Sequence, residues 1–186
     1  METQYKINKS ILELKVGDIT EEDTDAIVNA ANTRLSPGGG VSGAIHRAAG
    51  RGLWEECKTL GGCSTGEAKL TAGHNLKARY VIHTVGPVYS GSITDSKNLR
   101  NSYYNSLLLA LSHNIKSIAF PSISTGIFGY PVKDASLIAL QTIISFLEEH
   151  PEIKLVKMVL FSEEDYQTYK SSLEKILKDQ KQKTDK

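Results

Sequence analysis

Apolar and polar residues alternate from Tyr5 to Val16, through Ile7, Ile11, Leu12, Leu14 and Val16, and this predicts one or two strands. Gly17-Asp18-Ile19-Thr20 breaks the pattern, and Ala26-Ile27-Val28 predicts a short buried strand running into Asn29–Asn32. The spacing then turns helical. Val41 to Ala49 predicts a helix with Ala44, Ile45, Ala48 and Ala49 inward and Gly50 as its stop; Leu53 to Leu60 predicts a second, ended by Gly61-Gly62. Glu67 to Ala72 and Arg79 to Val85 predict strands, the second rich in β-branched residues. Ser90 to Ser96 has the composition of a surface loop, and Leu99 to Leu111 predicts a helix with Tyr103, Leu107, Leu108 and Leu111 on its apolar side. Ser117 to Phe120 predicts a strand stopped by Pro121, Asp134 to Glu149 an amphipathic helix closed by Pro151, and Leu155 to Phe161 the last strand. Ser162 is placed to cap a helix with an acidic first turn that runs to about Leu177.

Strands alternating with helices predict an α/β fold, one sheet with helices on both faces. The two opening strands have no helix between them, so at least one antiparallel pair is expected and the sheet should be mixed. The tail KDQKQKTDK contains no apolar residue and is expected to be disordered. The expected organisation is therefore one domain over residues 1–177 and a polar tail over 178–186.

Composition narrows the function classes. A net charge of +1 over 186 residues leaves no broad basic footprint for nucleic acid or anionic lipid. A local anion site remains open, because backbone amides and helix ends carry no formal charge. The N-terminus lacks the apolar core of a secretory signal, and no apolar run approaches the roughly 20 residues that span a bilayer, so a cytoplasmic protein with no membrane partner is expected. Cys57 and Cys63 match no zinc spacing and are expected to be reduced, Cys57 as a surface thiol of the second helix. His74, His83, His113 and His150 are scattered without metal-ligand spacing, so no metal and no cofactor is expected.

Two loops of small residues carry the candidate chemistry, Ser36–Gly43 and Ser122–Gly129. Each follows a short apolar strand and precedes a helix, at the sheet edge where ligands of open α/β sheets bind. Gly38, Gly39 and Gly40 carry no Cβ, so their amides can approach a ligand closely, and the helix opening near Val41 points its positive end at the same place. Together they suit a phosphate. Gly38-x-Gly40-x-x-Gly43 formally fits the dinucleotide fingerprint, but the expected second strand is replaced by the helical Leu53–Lys58, and neither loop contains the Gly-Lys-Ser/Thr of a P-loop. An NAD-dependent oxidoreductase is thus the weaker reading. Asn29 and Asn32 end the strand beside the first loop. A carboxamide donates and accepts, which suits sugar hydroxyls or a positioned water. Asn29 is equally a strand-end residue bonding its own backbone; Asn32, nearer the loop, is assigned to ligand. Asp18 is either a turn cap or an acceptor for an exocyclic base amine.

The run G-D-I-T, then D-A-I-V-N-A-A-N and G-G-G-V-x-G-A-I-H-R-A-A-G, resembles the macro domain family, and its MacroD-type branch in particular. So do G-E-A-K-L-T, A-R-Y-V-I-H-T-V-G-P and P-S-I-S-T-G-I-F-G-Y-P. The resemblance spans nearly the whole chain. It implies a three-layer α/β/α sandwich around a mixed, mostly parallel sheet, and ADP-ribose as ligand. It further implies a monomer that hydrolyses mono-ADP-ribose esters on protein Asp and Glu and deacetylates O-acetyl-ADP-ribose, with ADP-ribosylated proteins as partners. By resemblance, Asp18 accepts from the adenine amine with Ile19 beside it, Asn32 holds the distal ribose, and Gly38, Gly39, Gly40 and Val41 form the first diphosphate loop. Ser124, Thr125, Gly126, Ile127 and Phe128 form the second, Phe128 also walls the distal ribose, and Phe161 faces adenine. From its position alone Phe161 could equally be core.

The chain departs from the family pattern G-G-G-G-V-D-G in two places. Pro37 stands for a glycine and stiffens the loop entrance; Ser42 stands for the aspartate proposed to activate the hydrolytic water. A carboxylate can take a proton near neutral pH and an unassisted hydroxyl cannot. Three mechanisms follow. The ligand's phosphate orients a water held near Asn32 and Gly40, with Ser42 only bonding it; or His46, four residues after Ser42 on the same helix face, assists; or the protein reads ADP-ribose without turnover.

Overall fold

The opening alternation forms two strands, β1 (Glu2–Ile7) and β2 (Ser10–Val16), joined by a turn in which Asn8 takes φ 53°. The computed structural model describes residues 1–185. β3 (Ala26–Ala30) leads into the first glycine loop and then α1 (Gly40–Ala49) and α2 (Arg51–Cys57), which ends in a 3-10 turn. β4 (Ala68–Ala72) and β5 (Tyr80–Thr84) follow, then α3 (Ile93–Ser112), β6 (Ser117–Phe120), α4 (Val132–Glu149), β7 (Leu155–Leu160) and α5 (Glu163–Thr184).

The strands make one mixed sheet in the order β1-β2-β7-β6-β3-β5-β4. β2, β7, β6, β3 and β5 are parallel, and β1 and β4 close the edges antiparallel. Alternation along each strand feeds two cores. On one face Ala26, Val28, Ile82, Ile118, Phe120, Val156 and Met158 pack against α3, α4 and α5. On the other Ile27, Val81, Ala119 and Val159 pack against α1 and α2. The expected α/β/α sandwich is what the chain forms. The α1–α2 layer is the narrower one. Beyond it, on β2 and β7, the same face is polar: Lys157 lies 3.0 Å from Glu22 and 3.6 Å from Glu13, and Lys15 lies 2.7 Å from Glu22.

β3 and β6 pair only at Ala26–Ile118 and Ile27–Ala119, whereas β3 stays paired with β5 up to Ala30–Thr84. Past Ile27 the strands part. From β3 the chain goes to α1 on one face; from β6 it goes to α4 on the other. Neighbouring strands whose connections leave to opposite faces make the topological switch point, with a crevice at their carboxyl ends.

Several local expectations change. α3 begins at Ile93 within the expected surface loop, because Ser92 accepts from the Thr94 amide at 3.1 Å and Asp95 accepts from the Ser92 amide at 3.2 Å, a reciprocal cap. Its apolar face is Leu99, Tyr103, Leu107 and Ala110, with Leu108 exposed. The inward face of α1 is Ser42, Ile45, His46 and Ala49 rather than Ala44, Ile45, Ala48 and Ala49. Cys57 is buried in the α1–α2 core, not a surface thiol, because α2 turns that side toward the sheet; burial first, then the Glu56 charge, push its thiol up to about 11. α5 continues to Thr184 through most of the tail expected to be disordered, as an exposed polar helix of Lys and Gln, which are good helix formers; the last residue of that tail, 186, lies outside the described residues. Among the described residues no helix is long and apolar enough to cross a membrane.

Candidate functional site

The crevice between β3 and β6 is flanked by the two loops expected to bind phosphate. In the first, Leu35 is buried at φ 59° and anchors the turn. Asn32 ties the loop to itself: its Oδ1 accepts from the amides of Arg34 and Ser36, both at 3.1 Å, and its Nδ2 donates to the Ser36 carbonyl at 3.0 Å. Its Nδ2 also faces Gly38, 3.5 Å from where a Cβ there would stand. Asn32 thus shapes the loop and keeps one amide proton on the glycine side.

α1 opens on Gly39 as N-cap, with no side-chain cap and no acidic residue in its first turn. Among the described residues, the amides of residues 38–42 have no backbone acceptor. A helix end left bare in this way concentrates positive partial charge. Gly39 has φ −88°, open to any residue, and a Cβ there would meet nothing within 4 Å. Neither conformation nor packing within the protein requires glycine at this position, and its amide is left uncovered on the crevice side.

The second loop repeats the arrangement. Ser124 takes φ 67°, the Tyr130 amide bonds the Ser124 carbonyl at 2.9 Å and the Gly129 amide bonds the Gly126 carbonyl at 3.0 Å. The amides of residues 125–128 have no protein acceptor among the described residues. Gly126 resembles Gly39: its φ is not left-handed, and a Cβ added there would have no neighbour within 4 Å. The loop is held by the segment after β5: Tyr89 donates its amide to the Phe128 carbonyl at 2.8 Å, and its ring packs on Tyr130 at 4.9 Å. Ile127 is wholly exposed and Phe128 half-buried.

At the far end of the crevice, Asp18 caps a 3-10 turn through Oδ1, which accepts from the Thr20 amide at 2.9 Å and hydroxyl at 2.7 Å. Oδ2 has no protein partner among the described residues. Ile19 is buried beneath it. Phe161 lies one residue past β7 and is 94% exposed, so it is not core; the Gly17 amide bonds the Leu160 carbonyl at 3.0 Å and sets Phe161 beside Asp18. An exposed aromatic ring next to an unused carboxylate oxygen suits a base that stacks and donates.

Ser42 and His46 are not in the open crevice. They are 5% and 8% exposed, one turn apart on the inward face of α1, and neither the Ser42 hydroxyl nor either His46 nitrogen has a partner among the described residues. Burial lowers the His46 pKa, so the ring is neutral at pH 7. Asn29 is fully buried, and instead of its own backbone it meets His83, its register partner on β5, at 3.1 Å from Nδ2 to Nδ1. Metal-ligand spacing gives His83 no role, so motif reasoning misses it. The usable signal is a histidine inside a β-branched strand, V-I-H-T, where only a buried and partnered ring fits.

A separate surface groove of about 760 Å³ lies between α3 and α4, lined by Ile93, Lys97, Arg100, Tyr104, Ile138 and Phe146 among others. Among the described residues no group of three or more His, Cys, Asp or Glu could hold a metal.

The macro domain family model matches residues 28–139. A macro domain-containing protein of Chlorobaculum tepidum is 54% identical over 157 residues, which cover 84% of this chain and 91% of that protein. Human ADP-ribose glycohydrolase MACROD2 is 49% identical over 174 residues, covering 90% of this chain but 41% of its own length. A solved Oceanobacillus iheyensis macrodomain with ADP superposes at TM-score 0.93 and 45% identity, covering 96% of this chain and 98% of that one.

Proposed function

The chain belongs to the macro domain family, and on that premise we propose that it binds ADP-ribose in the β3–β6 crevice and hydrolyses mono-ADP-ribose esters on protein Asp and Glu side chains. The observation that carries this reading is the pair of amide-lined loops at the switch point, each holding a glycine the protein itself does not require. Two clusters of unpaired amides suit two linked phosphates. Phe161, Ile19 and the free oxygen of Asp18 take adenine. The remaining Nδ2 proton of Asn32 and the half-buried Phe128 hold the distal ribose, with Ile127 closing over the diphosphate.

A water beside Asn32 and Gly40 attacks at the distal ribose and releases ADP-ribose and the free carboxyl side chain. Ser42 provides a hydroxyl, not a base, so the ligand's own phosphate takes the proton-accepting part. O-acetyl-ADP-ribose is a second substrate, in which the water attacks the acetyl carbonyl instead and releases acetate and the ribose hydroxyl of ADP-ribose. The name of the MACROD2 relative supports hydrolysis. The burial of Ser42 and His46 favours the second reading, a reader of ADP-ribosylated proteins that turns over slowly. We take residues 1–177 as the working domain, a monomer of the cytoplasm. Incubation with a glutamate-linked mono-ADP-ribosylated protein decides: release of ADP-ribose above the buffer rate supports the hydrolase, and saturable binding at the buffer rate of release leaves the reader.

A further inference from the structure

Beneath α1, four buried polar side chains from three elements stand among the apolar residues that α1 packs against. Asn29 and His83 follow Ile27 and Val81 by two residues on β3 and β5, so they share the sheet face that α1 covers. α1 runs back over β3 from the carboxyl edge, and its inward Ser42 and His46 lie one turn before and level with the Ile45–Ala49 contact. All four are under 10% exposed.

The His83 ring lies between Asn29 on its Nδ1 side and Thr71 and Cys57 on its Nε2 side, with the Cys57 sulfur at 3.8 Å. The Thr71 hydroxyl has a single proton, and it donates to the Ala72 carbonyl at 3.1 Å. Its oxygen, 2.9 Å from His83 Nε2, therefore accepts from Nε2–H. His83 is neutral, because burial first and the nearby His46 second lower its pKa to about 3. Nδ1 is then bare and accepts from the Asn29 Nδ2 at 3.1 Å. The other end of that carboxamide, Oδ1, is buried without a protein partner among the described residues, as are the Ser42 hydroxyl and both His46 nitrogens.

We propose that His83 is a positioning residue of the ADP-ribose site: held by Thr71 as the Nε2–H tautomer, it turns the Asn29 carboxamide so that Oδ1 stands as an acceptor for the Ser42–His46 face of α1. A carboxamide turned the other way would put two N–H donors there instead. The acceptor matches the donors that Ser42 and His46 can offer through a buried water with several polar partners. It thereby sets the start of α1, whose amides line the crevice. The effect on turnover rests on the hydrolase reading; the tautomer does not.

The test has two arms. Nitrogen-15 NMR of the wild-type protein at pH 7 shows His83 as the Nε2–H tautomer; an Nδ1–H tautomer overturns the proposal whatever the activity. The second arm compares His83→Asn and His83→Gln. Asn places an oxygen acceptor where Nδ1 stands, facing Asn29; Gln keeps only a donor where Nε2 stands, facing Thr71. The buried donor left on Asn29 by Gln lowers kcat about tenfold with KM within about twofold, and Asn restores most of kcat. A packing role alone gives the opposite order, since Gln is nearer to His in size, and that order overturns the proposal. If the wild type releases no ADP-ribose, the hydrolase reading falls, and the tautomer with the order of ADP-ribose affinities decides the positioning role. If neither variant folds, the tautomer alone decides it.

Discussion

The two faces of the sheet bury polar groups on different terms. On the α3–α5 face they are paired: Ser102 with the Val85 carbonyl at 3.1 Å, Ser106 with the Ser102 carbonyl at 2.7 Å, Ser136 with Ser172 at 2.6 Å, and Tyr169 with Ser122 at 2.6 Å. On the α1–α2 face Asn29 Oδ1, Ser42 Oγ and both nitrogens of His46 lack protein partners among the described residues. Buried polar groups without partners cost stability, typically about 1–3 kcal/mol each. Four of the six buried side-chain atoms without partners among the described residues thus belong to Asn29, Ser42 and His46, at and beneath the helix whose amides line the crevice; the others are Glu13 Oε2 and Ser124 Oγ, the latter in the second loop.

The comparison breaks first at the apolar face. Leu107 is fully buried against that core, and Leu107→Ala is expected to lower stability by about 2–5 kcal/mol in denaturant unfolding, while ADP-ribose affinity at 20 °C stays within about twofold. A large loss of affinity in the still-folded variant would mean that the two faces are not separate. Next comes the site. Gly126→Glu adds a side chain where the protein has nothing within 4 Å, so the melting temperature should move little, while a carboxylate among the diphosphate amides lowers ADP-ribose affinity by about 100-fold or more. A variant that binds as the wild type does removes Gly126 from the ligand.

Ser42→Asp is a smaller and more discriminating change. It supplies a base at the start of α1, and a general base is worth about 10²–10⁴-fold when correctly placed. Because the position is buried, a gain in kcat of about tenfold is expected, seen in single-turnover release assays. No gain would assign the proton to the ligand's phosphate alone. The smallest effect is on pH. His83 and His46 have folded pKa values below the ordinary one near 6.5, so the unfolded chain binds protons first, and stability present above that value is lost as pH falls toward about 3. His83 alone costs up to about 1 kcal/mol between pH 7 and pH 6, read as a lower denaturation midpoint, and His46 acts in the same direction. An unchanged midpoint in that interval would place the rings in contact with solvent.

Much of this is legible along the chain because the signals are local. Glycines between a strand and a helix, and the periods of 2 and 3.6, mark the loops and most elements within a few residues. What is not legible depends on distant partners. Asn29 and His83 are 54 residues apart and meet only through strand register. Apolar residues alone would turn Ala44 and Ala48 of α1 inward; polar Asn29 and His83 beneath the helix's opening turns favour Ser42 and His46 there instead. Ile93, 88% exposed, hides the start of α3 by offering no apolar face, although Ser92 and Asp95 carry its cap in plain sequence. Phe161 is ambiguous in sequence because a strand-end aromatic reads the same whether it faces a core or a cleft.

The central claim is that the paired loops hold the diphosphate of ADP-ribose. Calorimetric titration of the wild-type protein and of Gly126→Glu with ADP-ribose, and of the wild type with adenosine, tests it most directly. Saturable heat is expected for ADP-ribose with the wild type, with an unchanged fold in the variant; adenosine on the wild type, and ADP-ribose on the variant, should each bind at least about 100-fold more weakly. Equal affinity for adenosine and ADP-ribose, or no heat from ADP-ribose at millimolar concentration, would contradict the claim.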